Sequence, residues 1–338
     1  MTTAHRPALR LVALLAATAL ASTGCAAARA KTDTATGNAS TDLSTVTLRV
    51  GDQKGTGAQA LLSAAGLLTG IRYRIVWSTF TSGPPMLQAM GAGAIDVGGV
   101  GNAPPVFAAA GGEKIAAVGA LRANPLGSAI LVPAGSPLTS PEQLRGKRIA
   151  VAQGSSAHYH LLTVLRKAGL SIGDVKASYL QPANALAAFT SGHVDAWDVW
   201  SPYTEQAVAQ THAKILVNGV GYGSPYSFTI AARAALADPG KVAAIRDYLG
   251  RIARAHTWAN SHVDDWAKVW ARGAGLPQDV MLVAAKDAAS TATPVDDTVI
   301  SSEQEVADAF TEAGLIPRAV TFADFAVRDF NDTVGGPS

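Results

Sequence analysis

Cysteine is all but missing: the 338 residues contain one, Cys25, so no disulfide can close within the chain. Excess charge is missing too. The chain carries 27 lysines and arginines against 25 acids, and without residues 1–24, which hold Arg6, Arg10 and no acid, the count is 25 against 25. Such a balance, with no basic cluster, argues against nucleic acid as a partner, because phosphate binding needs a cationic surface. The apolar run at residues 11–20 is about half of the roughly 20 residues that cross a bilayer. No Gly-x-Ser-x-Gly elbow occurs, and His158 close to Ser155 and Ser156 in sequence does not make a hydrolase triad. Gly99-Val100-Gly101 is followed by Pro104 where a dinucleotide fingerprint has its third glycine, so no cofactor is expected. His158 and His160 are two apart, a spacing that turns them to different sides of a helix, so no metal site is expected.

What is present begins with an export signal: Arg6 and Arg10, the apolar run, and the small residues Ala21-Ser22-Thr23-Gly24 before Cys25. Cys25 directly after the run, with Gly24 before it, resembles a bacterial lipoprotein signal whose cysteine becomes the lipidated N-terminus. Ser22 stands where such signals usually carry leucine, and a plain secretory peptide with an incidental cysteine is the alternative. Both readings put the mature protein outside the cytoplasm. Residues 25–44, rich in alanine, threonine, serine and asparagine, read as a flexible tether.

The remainder is long enough for two domains and alternates strand-like with helix-like segments. Strands are expected at 46–50, 72–77, 95–100, 128–132, 147–151, 174–180, 193–198 and 214–217, with helices at 58–68, 156–168, 182–190 and after the proline pairs. Alternation of this kind implies βαβ units and mostly parallel sheets. The turn-rich segment 133–137 reads as one passage between domains and 221–229 as the return, which gives a first domain of 45–132 with 227–334 and a second of 133–226. The sequence beyond Pro239 reads as mainly helical, with Trp258, Trp266 and Trp270 at helical spacing as packing residues.

One device recurs. Ser82-Gly83-Pro84-Pro85 and Gly101-Asn102-Ala103-Pro104-Pro105 each follow a strand and open a helix, and Gln153-Gly154-Ser155-Ser156-Ala157-His158 does the same in the second unit. Proline suits the first helical turn, serine caps it, and the remaining first-turn amides can receive an anion. In open α/β sheets such turns gather at the carboxyl ends of the strands, where ligands bind. A cleft between two such units, taking a small oxyanion, is the expected site.

Gln53-Lys54, Ser82-Gly83-Pro84-Pro85, Ala94-Ile95-Asp96, Ala103-Pro104-Pro105, Gly154-Ser155-Ser156-Ala157-His158, Val194-Asp195-Ala196-Trp197, Trp200 and Gly314-Leu315-Ile316-Pro317 occur in an order that resembles the aliphatic-sulfonate-binding proteins of ABC transporters, which belong with the taurine- and nitrate-binding proteins. The resemblance spans residues 46–320. It implies a type II periplasmic-binding-protein fold of two α/β domains, two crossovers and an interdomain cleft. It also implies a monomer that delivers its anion to a membrane permease. Carried over by position, Gln53, Ser82, Gly83 and Asn102 would contribute from the first domain and Ser155, Ser156, Ala157, Trp197 and Trp200 from the second. Lys54, Arg122, His158 and Asp195 form a second rank of candidates, with surface or structural roles as their alternatives. Where relatives read Gly-Asp-Ala-Pro-Pro this chain has Asn102, which disfavours an amine-bearing ligand such as taurine. Taurine, nitrate or a thiamine-precursor pyrimidine are alternative ligands. A desulfinase-like enzyme on the same fold would call for a cysteine nucleophile, and no cysteine follows Cys25.

Overall fold

The computed structural model describes residues 42–54 and 57–334, so the export signal, Cys25 and most of the expected tether lie outside the described residues. Among the described residues no helix is long and apolar enough to cross a membrane. The chain runs β1 (Thr47–Gln53), α1 (Ala58–Ala64), β2 (Arg74–Phe80), α2 (Gly83–Gly91), β3 (Val97–Val100), α3 (Ala103–Gly111), β4 (Ile115–Ala123) and β5 (Ser128–Val132). It continues with β6 (Arg148–Val151), α4 (Ser156–Lys167), β7 (Lys176–Tyr179), α5 (Pro182–Thr190), β8 (Ala196–Trp200), α6 (Tyr203–Thr211) and β9 (Lys214–Asn218). The last part holds β10 (Tyr226–Ala232), α7 (Arg233–Leu236), α8 (Pro239–Ser261), α9 (Val263–Ala274), α10 (Gln278–Asp287), β11 (Ser290–Thr293) and α11 (Asp297–Glu312).

The strands form two sheets, β11-β4-β10-β3-β1-β2 and β7-β6-β8-β5-β9. Each contains a parallel trio, β2-β1-β3 in one and β7-β6-β8 in the other, bordered by one antiparallel strand. In both sheets that antiparallel strand, β10 or β5, is the one that has just arrived from the other sheet. The passages are therefore residues 124–127 and 219–225. This corrects the expected first passage at 133–137: the run 128–132 was read as the last strand of the first domain, but it pairs with β8 and β9. An apolar strand followed by a turn looks the same whichever sheet receives it. Two further differences are small. Leu43, expected in the tether, is buried in the first lobe's core, and the polar strand Ser290–Thr293 pairs with β4 inside a region that reads as helical.

Close approach explains Gly51 of the first sheet. A Cβ on Gly51 would stand 2.3 Å from Met86 Sδ, so the β1 glycine lets α2 settle onto the sheet. Pro84 and Pro85 sit in the first turn of α2, and Pro104 and Pro105 in that of α3. The second sheet is covered on both faces, by Leu161, Val164 and Leu165 of α4 on one and by Ala185 and Phe189 of α5, packed with Trp197 and Val199 of β8, on the other. Helices α8 and α11 complete the first lobe, with Ile245, Tyr248, Val306 and Phe310 in its core.

Candidate functional site

The carboxyl ends of both parallel trios and both passages border one cavity of about 380 Å³. Gln53, Gly83 and Asn102 line it from the first lobe, and Ser155, Ser156 and Trp200 from the second. Among the described residues the only charged side chain on its wall, histidines aside, is Asp52. Its carboxylate accepts the N–H groups of Gln53 at 3.0 Å, Ala58 at 2.8 Å and Gln59 at 3.3 Å, while burial raises its pKa. No lysine or arginine is among the described lining residues.

The donors are unequal. In α2 the prolines leave Gly83 as the one first-turn amide, and in α3 the amide of Ala103 donates to Asn102 Oδ1 at 2.9 Å. With that oxygen engaged by Ala103, Asn102 still offers its NH2 group as a donor. Helix α4 has no proline. Gly154, at φ 71°, turns the chain out of β6 in the left-handed region, and Ser155 then caps the helix by accepting His158 N–H at 3.3 Å. The Ser155 hydroxyl itself donates to Ala152 O at 2.7 Å, which leaves Ser156 as the lining residue of that turn whose hydroxyl is not claimed by that carbonyl. Gln53 donates from Nε2 to Gly99 O at 2.9 Å. The paired prolines thus frame the site and leave each proline turn few amides to offer.

Several expected residues lie elsewhere, each for a geometric reason. Trp197 and Trp200 are three apart on β8, so they face opposite sides of the sheet. Trp200 reaches the cavity and meets Tyr203 edge to face at 5.9 Å, whereas Trp197 is 1 % exposed and packs on Phe189. Arg122 lies between Leu121 and Ala123, which line the cavity, so strand alternation turns it outward. Lys54 is exposed and off the wall, and Ala157 is fully buried behind it. Asp195 precedes β8 at the amino-terminal end of the strand, away from the cavity, and pairs with Arg148 at 2.7 Å. His158 is enclosed by Phe107, Phe310 and Tyr179, and burial lowers its pKa to about 4. Ser82 is fully buried, its hydroxyl donating to Gln181 of the other lobe.

Other lining residues carry no signal strong enough to read in sequence. His160 sits on the wall with Nδ1 at 2.9 and 3.0 Å from the Asp198 carboxylate and Nε2 at 3.2 Å from Asn218 O. Trp266 and Trp270, read as packing, are stacked at 5.6 Å and also face the cavity, with Tyr248, Ile252 and His256 of α8. The acid at position 198 and the helical tryptophan spacing were visible; what they face depends on the return of the last helices to the first lobe. Among the described residues no group of three or more His, Cys, Asp or Glu side chains could hold a metal ion.

Comparison with known proteins places this arrangement. Residues 81–245 match the family described as NMT1/THI5 like. An Escherichia coli protein named as an aliphatic sulfonates-binding protein is 36% identical over 281 residues, covering 82% of this chain and 87% of the relative. The solved alkanesulfonate-binding protein SsuA of Xanthomonas axonopodis pv. citri, bound to MOPS, superimposes with a TM-score of 0.76 at 35% identity, covering 83% of this chain and 98% of that one. The periplasmic aliphatic sulphonate binding protein SsuA of Escherichia coli gives a TM-score of 0.72 at 34% identity, covering 82% and 91%. With two lobes, two passages and a cavity between them, and with this identity across nearly the whole of its relatives, the chain belongs to the aliphatic-sulfonate-binding protein family.

Proposed function

We propose that this protein is an extracytoplasmic solute-binding protein of an ABC importer, which takes an aliphatic sulfonate between its lobes and delivers it to a membrane permease. The observation that carries the reading is a cavity between two lobes whose wall offers neutral donors and, among the described residues, neither lysine nor arginine. A sulfonate stays anionic at physiological pH and has three acceptor oxygens, so it can be held by neutral N–H and O–H groups alone. Each hydrogen bond to such a charged group contributes about 1.5–3 kcal/mol, enough in combination to offset the cost of capture. Gly83, Asn102 and Ser156 are the donors we assign, with Trp200 against the organic part and Gln53 at the rim.

Taurine suits the site less well. Its ammonium would need an acceptor, position 102 is neutral, and Asp52 already accepts three backbone amides. Binding rather than catalysis is supported by the absence of cysteine after residue 25, since a desulfinase on this fold would need that nucleophile. Within the same proposal, Cys25 carries a lipid, the chain acts as a monomer, and residues from about 45 form the working body.

Thermal denaturation of that body with ethane-, hexane- and benzenesulfonate, taurine, nitrate, sulfate and a thiamine-precursor pyrimidine tests the assignment. A bound sulfonate at one hundred times its dissociation constant should stabilise the protein by about 2.7 kcal/mol. A shift with nitrate or the pyrimidine and none with any sulfonate would overturn the ligand class.

A further inference from the structure

The anion end accounts for only part of the cavity. Tyr248, Ile252, His256 and Asn260 recur every fourth residue on α8, and all four line the wall. At about 1.5 Å per residue this stripe is roughly 18 Å long. Its Tyr248 end lies within 6.4 Å of the Trp77 ring on β2, and its Asn260 end is hydrogen-bonded to Ser290, which pairs with Ala123 at the mouth of the first passage. A two-carbon sulfonate held at Asn102 and Ser156 would leave most of that length unfilled.

The walls of this extension are largely apolar and aromatic, and its polar groups Asn260, Ser290 and His256 are bonded to one another. Leu61 of α1, Ile252 of α8 and the stacked Trp266 and Trp270 of α9 face it, and Ala259 and Ala285 keep it open by being small. His256 adds no charge: burial lowers its pKa to about 4, and Nδ1 meets Ser290 Oγ at 2.7 Å. Water there would find few partners, whereas a flat ring or a long alkyl chain would remove apolar area from solvent. Aromatic rings packed against indole gain further from offset or edge-to-face contact.

We infer that the extension between α1, α8, α9 and α10 is a tail subsite, which makes this protein selective for sulfonates with a bulky apolar tail, aryl or long alkyl, over two-carbon ones. The inference rests on the sulfonate reading of the cavity and adds the substrate class. Position 259 sets the width of the subsite, because a larger side chain at this half-buried place on α8 would fill it.

The test is the ratio of dissociation constants, ethanesulfonate over naphthalene-2-sulfonate, by isothermal titration calorimetry on the body of the protein. The wild type should favour the bulky sulfonate at least tenfold, and Ala259→Phe should cut that ratio tenfold or more. Ala288→Trp, at an exposed position on the same wall, gives a second narrowing variant in case the first does not fold. A wild-type ratio near one, or a ratio that neither folded variant changes, overturns the tail subsite while the sulfonate reading stands. Failure of both sulfonates to bind the wild type overturns both.

Discussion

Ser82 and Gln181 tie the two lobes together: the Ser82 hydroxyl donates to Gln181 Oε1 at 2.7 Å, and Thr81 Oγ1 donates to the same oxygen at 3.2 Å. Each of the two is the residue immediately before a helix, Ser82 before α2 and Gln181 before α5. The serine that the sequence offers as a ligand donor therefore holds the opposite lobe.

Ser82→Ala and Gln181→Ala should each weaken sulfonate binding roughly two- to tenfold, because a net hydrogen bond of about 0.5–1.5 kcal/mol is removed from the closed arrangement alone. Calorimetry on the double variant decides what the serine does. A combined loss close to either single loss fits a shared bond. Additive losses would mean that Ser82 meets the ligand independently.

Gly101 of the first lobe stands against Ser156 of the second, where a Cβ on Gly101 would lie 1.9 Å from Ser156 Oγ. Gly101→Ala is accordingly expected to hold the lobes apart and to cost more than tenfold in affinity. The melting temperature of the ligand-free protein should move by only a few degrees, since the added methyl meets the other lobe and not its own core. Ser156→Gly added to Gly101→Ala should recover part of the affinity if the clash is the cause. A double variant weaker than Gly101→Ala would instead assign the loss to the missing hydroxyl.

The two-lobe plan was legible because strand and helix periods alternate cleanly and because the strand-to-helix turns recur with the same residue types. The passage at 124–127 was not, since pairing partners are set by contacts a hundred residues apart and an apolar strand such as Ser128–Val132 fits either sheet. Within the site, residues at strand ends and in the turns after them were readable as lining groups at Gln53, Gly83, Asn102, Ser155, Ser156 and Trp200. Their bonds were not. Which hydroxyl faces the cavity depends on whether a carbonyl such as Ala152 O or an amide such as Gln181 claims it first. Trp197 could have been separated from Trp200 by parity along the strand alone.

A repeated ion pair gives an internal comparison. Asp96 accepts from Arg49 Nε at 3.0 Å and Asp195 from Arg148 Nε at 3.2 Å, both 47 residues apart, and each also takes the arginine's own amide. Asp96 differs in being buried, with Lys241 as a further partner at 2.9 Å. Burial pushes the Asp96 pKa up, but its bonds to Arg49 and Lys241 outweigh this and hold it below the usual carboxylate value. A lowered native pKa means stability that is present above about pH 3.9 and lost as pH falls through the native value. Asp96→Ala should cost about 1.5–3 kcal/mol, since it removes a buried carboxylate's charge-assisted hydrogen bonds to Arg49 and Lys241. Asp195→Ala, at the more exposed copy, should cost distinctly less. Urea midpoints at pH 7 compare the two, and equal losses would refute burial as the difference.

His160 and Asp198 set the stability at the alkaline side. Burial disfavours the charged ring, yet the Asp198 charge and hydrogen bond, with Asn218 O on the other nitrogen, bring the net pKa of His160 above its ordinary value. Burial alone would raise Asp198, with His160 opposing. Both shifts describe one proton retained by the native pair, and the ring holds it because both nitrogens face acceptors. A raised native pKa gives stability that is complete below about pH 6.5 and lost as pH rises through the native value. His158 and His256, whose native values are about 4, change stability only below pH 6.5 and leave this window clear. Unfolding free energy should therefore decline as pH rises above about 6.5 in the wild type and become flat there in Asp198→Asn. The ring protons of His160 should titrate above the ordinary histidine midpoint in the first and below it in the second. A flat wild-type profile, with a His160 midpoint under 6.5, would mean that the folded protein keeps the ring neutral and that Asp198 orients it without charging it.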